Sequence, residues 1–361
     1  MNVLHINSGL YFGGGSERII MDLMTKNNLN TNYLCVINDM WSKEHISKLH
    51  KGFYLLCNRK QGTKNVISNI KTIIKACKFI RKNQIDIIHC HDTFSLKFAY
   101  ILKKMLGLKV VFTVHDTNVY TAKLNKFPID KYVAISNTVY KIVSGFVPKN
   151  KIELIYNGID LNKFYNNKKR NKNKQECINI SCVARLVPEK KGQDILIGAV
   201  DIIKKQYGFN NFKCFFAGTA TDQCSLNELK ELVKKNRLEN HVEFLGNIEK
   251  VEEVYSNTDI FVLPSRYEGF GLVVVEALAA GCVVIVSKLD GPLEIVKENE
   301  LYGLSFEKDN HEELAKKIYH LINDVNLRNH FSNNVETLKY LNKEFSLDNM
   351  IAGYNKIYKS V

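Results

Sequence analysis

Two glutamates, Glu268 and Glu276, stand with seven residues between them in the stretch 264–282, Pro-Ser-Arg-Tyr-Glu-Gly-Phe-Gly-Leu-Val-Val-Val-Glu-Ala-Leu-Ala-Ala-Gly-Cys. Residues 259–263 form an apolar run that reads as a buried strand, and Pro264 ends it. Glycines 269 and 271 mark a loop, and the pattern predicts a helix from about Leu272 that closes at Gly281. Val283 to Val286 reads as the next strand. In such a strand–loop–helix–strand unit, ligands collect where the strand ends and the helix begins. Phe270-Gly271 offers no Ser, Thr or Asp to cap the helix, so its first N–H groups are open to an anion. The helix dipole favours that anion by about 0.3–1 kcal/mol if exposed and by up to about 2 kcal/mol if sheltered. The chemistry implied is a phosphorylated ligand with a carboxylate at each end. The competing reading is a solvated Glu276 on an otherwise buried helix.

Cations for such a ligand are at hand. After the strand-like run 178–184 comes Ala184-Arg185-Leu-Val-Pro-Glu-Lys190-Lys191-Gly192. Arg185 at a strand end and Lys191 at a helix start would point to the same corner. A forked guanidinium and a compact ammonium suit a diphosphate. Lys190 competes with Lys191 for that role, and a plain basic surface loop is the alternative to both. Further upstream, Gly13-Gly14-Gly15 lies between a strand and a helix, another phosphate cradle. The dinucleotide fingerprint fails there, because Arg18 occupies the position that needs a small residue. Asp39 could pass as a ribose acid, so a nicotinamide dehydrogenase is a weak alternative. His115 closes the run Thr113-Val-His115. His89-Cys-His91 has the spacing that puts two rings on one strand face. A metal there lacks a third ligand in the sequence, and no metal site is expected.

The elements that must position these groups alternate. In the first half, strands are expected at 33–37, 54–57, 86–90, 110–115, 132–136 and 152–156. The longest helix covers 65–82, with apolar positions 66, 67, 70, 73, 74, 77 and 80. In the second half, strands are expected at 178–184, 212–217, 242–245, 259–263, 283–286 and 302–305, and terminal helices at 309–323, 326–341 and 344–360. Such alternation predicts parallel sheets covered on both faces. The apolar-free segment 166–176 reads as a linker. The domains then run 1–165 and 177–343.

The chain has 361 residues, 45% of them hydrophobic, which is more than a single core usually holds. It opens directly into a strand-like run, so no leader peptide is read. Nine cysteines without a C-x-x-C pair, mostly in apolar runs, suggest reduced thiols and a cytosolic setting. The net charge is +14, and residues 1–170 hold 27 Lys+Arg against 10 Asp+Glu. Lys71, Lys75, Lys78, Arg81 and Lys82, then Lys97, Lys103 and Lys104, fall in helical stretches. That basic half suggests docking at the inner face of an anionic membrane, ahead of a plain solvated surface and well ahead of nucleic acid.

Taken in order, Gly14-Gly15, Thr113-Val-His115, Ala134-Ile-Ser136, Asn157-Gly-Ile-Asp160, Arg185 with Lys191-Gly192, Phe244-Leu-Gly246 and Glu268-x7-Glu276 resemble the retaining glycosyltransferases of family four. The resemblance spans nearly the whole chain. It implies the GT-B fold: two doubly wound Rossmann-like α/β domains facing across a cleft, with the last helix (344–361) crossing back to the first. It implies a nucleotide-diphosphate sugar as donor, uridine type ahead of guanosine type, with no cofactor. Arg185 and Lys191 would take the diphosphate, with Lys190 in reserve, and the N–H groups after Phe270 at Gly271-Leu272 would cap it. Glu276 would accept the ribose hydroxyls, and Glu268 would contact the donor sugar. His115 would touch that sugar, and Gly14-Gly15 would approach the phosphate. The acceptor would be a glycan or lipid-linked glycan. A sugar-nucleotide epimerase or a phosphorylase on the same fold, and a non-catalytic module with a degenerate cleft, are the competing functions.

Overall fold

The structure is a computed structural model. It describes residues 1–10, 14–62, 65–117, 126–165, 177–220, 222–297, 301–332 and 335–361. The segment read as a linker, 166–176, lies outside these, as does Gly13. The chain divides into two compact units, Met1–Gly158 with Leu347–Val361, and Ile159–Ser346.

The first unit is built on seven strands: β1 (Asn2–Asn7), β2 (Thr31–Asn38), β3 (Tyr54–Arg59), β4 (Ile87–Cys90), β5 (Lys109–Val114), β6 (Lys131–Ala134) and β7 (Ile152–Leu154). They pair in the order β3-β2-β1-β4-β5-β6-β7, every pair parallel. A parallel sheet is covered on both faces, which is why Val3, Leu4, Ile6, Leu34, Val36, Ile88, Val110 and Val111 are all sealed from solvent. Helix starts are fixed by short polar side chains. Asp92 and Ser95 form a reciprocal capping box on the helix Thr93–Leu106, and Ser136 caps Asn137–Ser144. The order changes direction beside β1 and β4, so the loops after β1, β4 and β5 leave the sheet at its switch point.

The second unit has six strands: β8 (Ile178–Val183), β9 (Phe212–Ala217), β10 (Val242–Gly246), β11 (Ile260–Leu263), β12 (Val283–Ser287) and β13 (Leu304–Phe306). Their order is β10-β9-β8-β11-β12-β13, again all parallel. Its switch point lies between β8 and β11. One contiguous core joins these strands to the helices Gln193–Lys205 and His311–Asn323 through Ile180, Ile197, Val200, Val262, Ile285, Leu314 and Ile318.

Several expectations are corrected. The division falls at Gly158/Ile159, not at 165, because the next residues pack on the second unit. Ile159 pairs with Ser346, and Phe164 is sealed edge-on against Tyr255. The helix expected at 326–341 is two helices, Val325–Ser332 and Val335–Phe345. The last helix starts at Leu347, since Ser346 is held in the bridge to Ile159. The apolar stripe of the helix Val66–Lys82 is not its core face over the first two turns. Val66, Ile67, Ile70 and Ile74 are 67%, 65%, 50% and 48% exposed, while Thr72, Ala76, Cys77 and Ile80 face inward. All nine cysteines are free thiols. Among the described residues no helix is long and apolar enough to cross a membrane.

Candidate active site

The corner after β11 forms as its sequence suggests. The helix runs Leu272–Ala279 from Gly271, which sits at φ +98° and gives no side-chain cap. The glycine allows the chain to enter the helix from a left-handed turn that a larger residue would strain. At the far end, Gly281 (φ +76°) donates to the Leu278 carbonyl and Cys282 to that of Ala277, a Schellman closure. The helix is buried from Val274 to Ala279. Phe270 is buried edge-on against Phe345, which holds the turn in place.

β8 and β11 are neighbours and parallel, so the loops that follow them emerge side by side. Backbone contacts then stitch them together. The Lys190 carbonyl accepts from the N–H groups of Arg266 and Tyr267 at 2.8 and 3.1 Å. Gly192 (φ +65°) lies so close to Pro264 that an added Cβ would fall 2.0 Å from its carbonyl oxygen. Arg266 completes the seam. Its guanidinium donates to both carboxylate oxygens of Asp194 at 2.8 Å, to Asp309 Oδ1 at 2.5 Å and to the Pro188 carbonyl at 2.6 Å. Hydrogen bonding to Asp194 is the main cause that raises its pKa.

Inside this seam Lys191 Nζ lies 2.7 Å from Glu268 Oε2, with side chains 20% and 16% exposed. The Ser265 hydroxyl donates to the same oxygen at 3.4 Å. Lys191 therefore directs its ammonium into the corner, whereas Lys190 contributes its carbonyl and leaves its side chain exposed. Arg185 is exposed at the end of β8. Its carbonyl accepts from Gln193 Nε2 at 2.8 Å, and its guanidinium has no partner among the described residues. Behind it the chain is pinned by Gly218, whose missing Cβ leaves room for the Ala184 carbonyl. Glu276 is 2% exposed and accepts the Tyr255 hydroxyl at 2.8 Å, so the solvated reading of Glu276 fails.

In the first unit, Gly14 precedes the helix Gly15–Lys26 and gives no side-chain cap. The Glu17 carboxylate folds over Gly14, where a Cβ would clash with it, and also takes the Ser16 hydroxyl at 2.9 Å. A carboxylate thus sits where the sequence predicts a phosphate. His115 follows β5, half-buried, and burial lowers it to about 4. It belongs to a cluster with His5, His89 and His91. His5 faces His89 in the β1–β4 register and supplies the third imidazole that the sequence did not reveal. Every ring nitrogen of these three is already hydrogen-bonded, to another ring or to Asn32, Thr113 and Tyr358.

Sequence reasoning missed Arg266, Ser265, Tyr255, His5 and Asn32. Arg266 and Ser265 lie inside the stretch singled out first, but nothing local reveals that the guanidinium pairs with Asp194. His5 and Asn32 carry no motif at all.

Two doubly wound parallel sheets, each with its strand order reversing at a switch point, place the protein among the Rossmann-like α/β folds. The family model "Glycosyl transferases group 1" matches residues 163–337, and that of "Glycosyltransferase Family 4" matches residues 48–163. An uncharacterized glycosyltransferase of Methanocaldococcus jannaschii is 30% identical over 330 residues, covering 88% of this chain and 83% of the relative. An uncharacterized 41.2 kDa protein in the cps region of Klebsiella pneumoniae is 27% identical over 394 residues, covering all of both chains. Among solved structures, Anabaena HepE in complex with UDP and glucose matches with a TM-score of 0.83 at 19% identity, covering 99% of each chain. The chain belongs to the group 1 glycosyl transferases, and its two units have the Rossmann-like architecture of the GT-B fold.

Proposed function

We propose that the protein moves a sugar from a nucleotide-diphosphate sugar to a glycan or lipid-linked glycan acceptor, with retention at the anomeric carbon and without a metal. The bond from that carbon to the diphosphate breaks and a bond to an acceptor hydroxyl oxygen forms. The hydroxyl proton leaves with the diphosphate or to water. The observation that carries the reading is the corner itself: Lys191 and Glu268 held together beside a helix N-terminus that no side chain caps. Negative charge grows on the departing diphosphate, and fixed donors aimed at that charge are where such sites gain most of their rate. Lys191 and Arg185 supply cations, and the N–H groups at Gly271-Leu272 supply the helix end. Lys190 holds the loop. Glu268 meets the donor sugar, Glu276 the ribose, and His115 a sugar hydroxyl, with Gly14 and Gly15 approaching the phosphate.

The uridine-type donor is favoured by the ligands of HepE, and a role in cell-surface polysaccharide assembly (capsule, O-antigen or lipopolysaccharide) by the cps-region relative. A thermal-shift screen of uridine, guanosine and adenosine diphosphate sugars is expected to give its largest upward shift with a uridine type. Product analysis of the best hit without acceptor is expected to show slow hydrolysis or no change. An epimer or a sugar phosphate as product would favour the epimerase or phosphorylase reading instead.

We further propose a peripheral place on an anionic membrane surface, at the inner face of a cell membrane. The helix Val66–Lys82 supports it: Ile67, Ile70, Lys71, Ile74, Lys78 and Arg81 share one outward face, and the first two isoleucines and Ile74 are about half exposed or more. Apolar contact plus lysines is the composition of an interfacial helix. Co-sedimentation with phosphatidylglycerol vesicles is expected to weaken about tenfold between 50 and 500 mM salt, as screening shortens the reach of the charges. It is expected to be lost in Ile67→Glu/Ile70→Glu. Salt-insensitive binding, or none, would reject the docking.

A further inference from the structure

A row of three imidazoles in the first unit, His5 and His91 buried and His115 half-buried, begins at Asn32 and ends at His115. Asn32 is buried, and its Nδ2 donates to the carbonyls of Asn27 at 3.0 Å and Asn30 at 3.3 Å. That fixes the amide: turned over, its oxygen would face two carbonyl oxygens. Asn32 Oδ1 lies 3.2 Å from His5 Nε2, so this nitrogen must carry the hydrogen and donate. A neutral imidazole has one N–H, so His5 Nδ1 accepts. Its partner at 3.0 Å is His91 Nε2, which therefore donates. His91 Nδ1 then accepts, and its partner at 3.2 Å, His115 Nε2, donates. What remains at the end of the row is His115 Nδ1, a lone pair shielded from solvent with no hydrogen-bond partner among the described residues.

The premise of neutral rings is met. Burial lowers His5 and His115 to about 4 and His91 well below its ordinary value. His89 stands outside the row. Its nitrogens are taken by the Thr113 and Tyr358 hydroxyls, which can each donate or accept, so it transmits no direction.

We propose that Asn32 is a positioning residue: acting through His5 and His91, it fixes the tautomer of His115 so that Nδ1 is presented as a hydrogen-bond acceptor to a hydroxyl of the sugar donor. The inference rests on the reading that His115 meets the donor sugar. A buried acceptor left unpaired is costly, and a hydroxyl that donates to it removes that cost. The amide that sets the orientation is two rings away from the one that uses it. A side chain that only supported packing would have no reason to control that proton.

The test is a long-range ¹H–¹⁵N correlation spectrum of the full chain labelled on histidine, at pH 7.5, with signals assigned by single His→Gln variants. His5, His91 and His115 are each expected as a single Nε2–H tautomer. In Asn32→Leu, which removes the acceptor at a similar volume, His115 is expected to become a mixture of tautomers. That variant is also expected to lose about three- to tenfold in kcat/KM, the worth of one neutral hydrogen bond. An Nδ1–H or mixed His115 in the wild type overturns the proposal, even if the variant does not fold. So does a His115 tautomer unchanged in a folded Asn32→Leu. Addition of UDP-glucose separates the two claims. If the wild-type tautomers are as expected but the His115 signals do not move on saturation, the relay stands and the donor contact falls.

Discussion

Lys191→Ala is expected to lose two to three orders of magnitude in kcat while the protein stays folded. The Lys191 ammonium is held 2.7 Å from Glu268 by a loop whose backbone is fixed at Lys190, Gly192 and Pro264. A donor aimed at developing charge from such a fixed mount contributes about 3–4 kcal/mol to the transition state. The same ion pair contributes far less to stability, about 1 kcal/mol, because both side chains keep some contact with water. Lys190→Ala is the internal control. Its side chain is exposed and its carbonyl, which the substitution keeps, forms the seam. Its rate is expected to stay within about threefold of wild type, less than one neutral hydrogen bond usually contributes. Turnover with the best nucleotide sugar, alongside circular-dichroism melts, checks both variants. Equal losses in the two, or a near-wild-type rate in Lys191→Ala, would reject the assignment.

The first unit is expected to lose stability steeply as the pH falls from 7 toward 5. Four imidazoles there, His5, His89, His91 and His115, are lowered chiefly by burial. Burial also lowers His45. The unfolded chain binds protons on these rings below about pH 6.5, whereas native His5 and His115 resist them until about 4 and burial holds His89 and His91 well below their ordinary value. Native stability is therefore complete above the unfolded value and falls as pH drops below it. Each ring contributes a slope of up to about 1.4 kcal/mol per pH unit, so four give about 5 kcal/mol per unit against a typical total of about 5–15. Asp92 works in the opposite direction. Burial raises its carboxyl, so its proton favours the native state on the acid side, but it is one group against four. The buried phenols of Tyr354 and Tyr358 are pushed up and stay neutral throughout. The only tryptophan in the chain, Trp41, lies in this unit and donates to Asn58 Oδ1 at 2.8 Å, so its fluorescence reports the transition. A melting midpoint unchanged between pH 7.5 and 5.5 would reject the account.

The local grammar of the chain was readable without coordinates. Strand runs of Val, Ile and Leu, the glycine turn before Leu272, the closure at Gly281 and the absence of a cap at Gly271 each depend on residues within a few positions of one another. Period and cap chemistry act at that range, so the sequence carries them. The helix Val66–Lys82 shows the limit of period alone. A stripe of isoleucines looks the same whether a sheet or the solvent lies against it, and here its first half faces outward.

The sequence by itself determined the two alternating halves, the uncapped strand–loop–helix corner after β11, the polar residues near it and the uneven charge of the chain. Only the tertiary structure decided which of them meet. It chose Lys191 over Lys190 for the corner, fastened Arg266 to Asp194, buried Glu276 against Tyr255 and brought His5 to His89. It also moved the division between units to Gly158 by pairing Ile159 with Ser346. The physical reason is common to all of these. Strand order and register set which loops are neighbours, and partners tens to hundreds of residues apart leave no periodic trace in the chain.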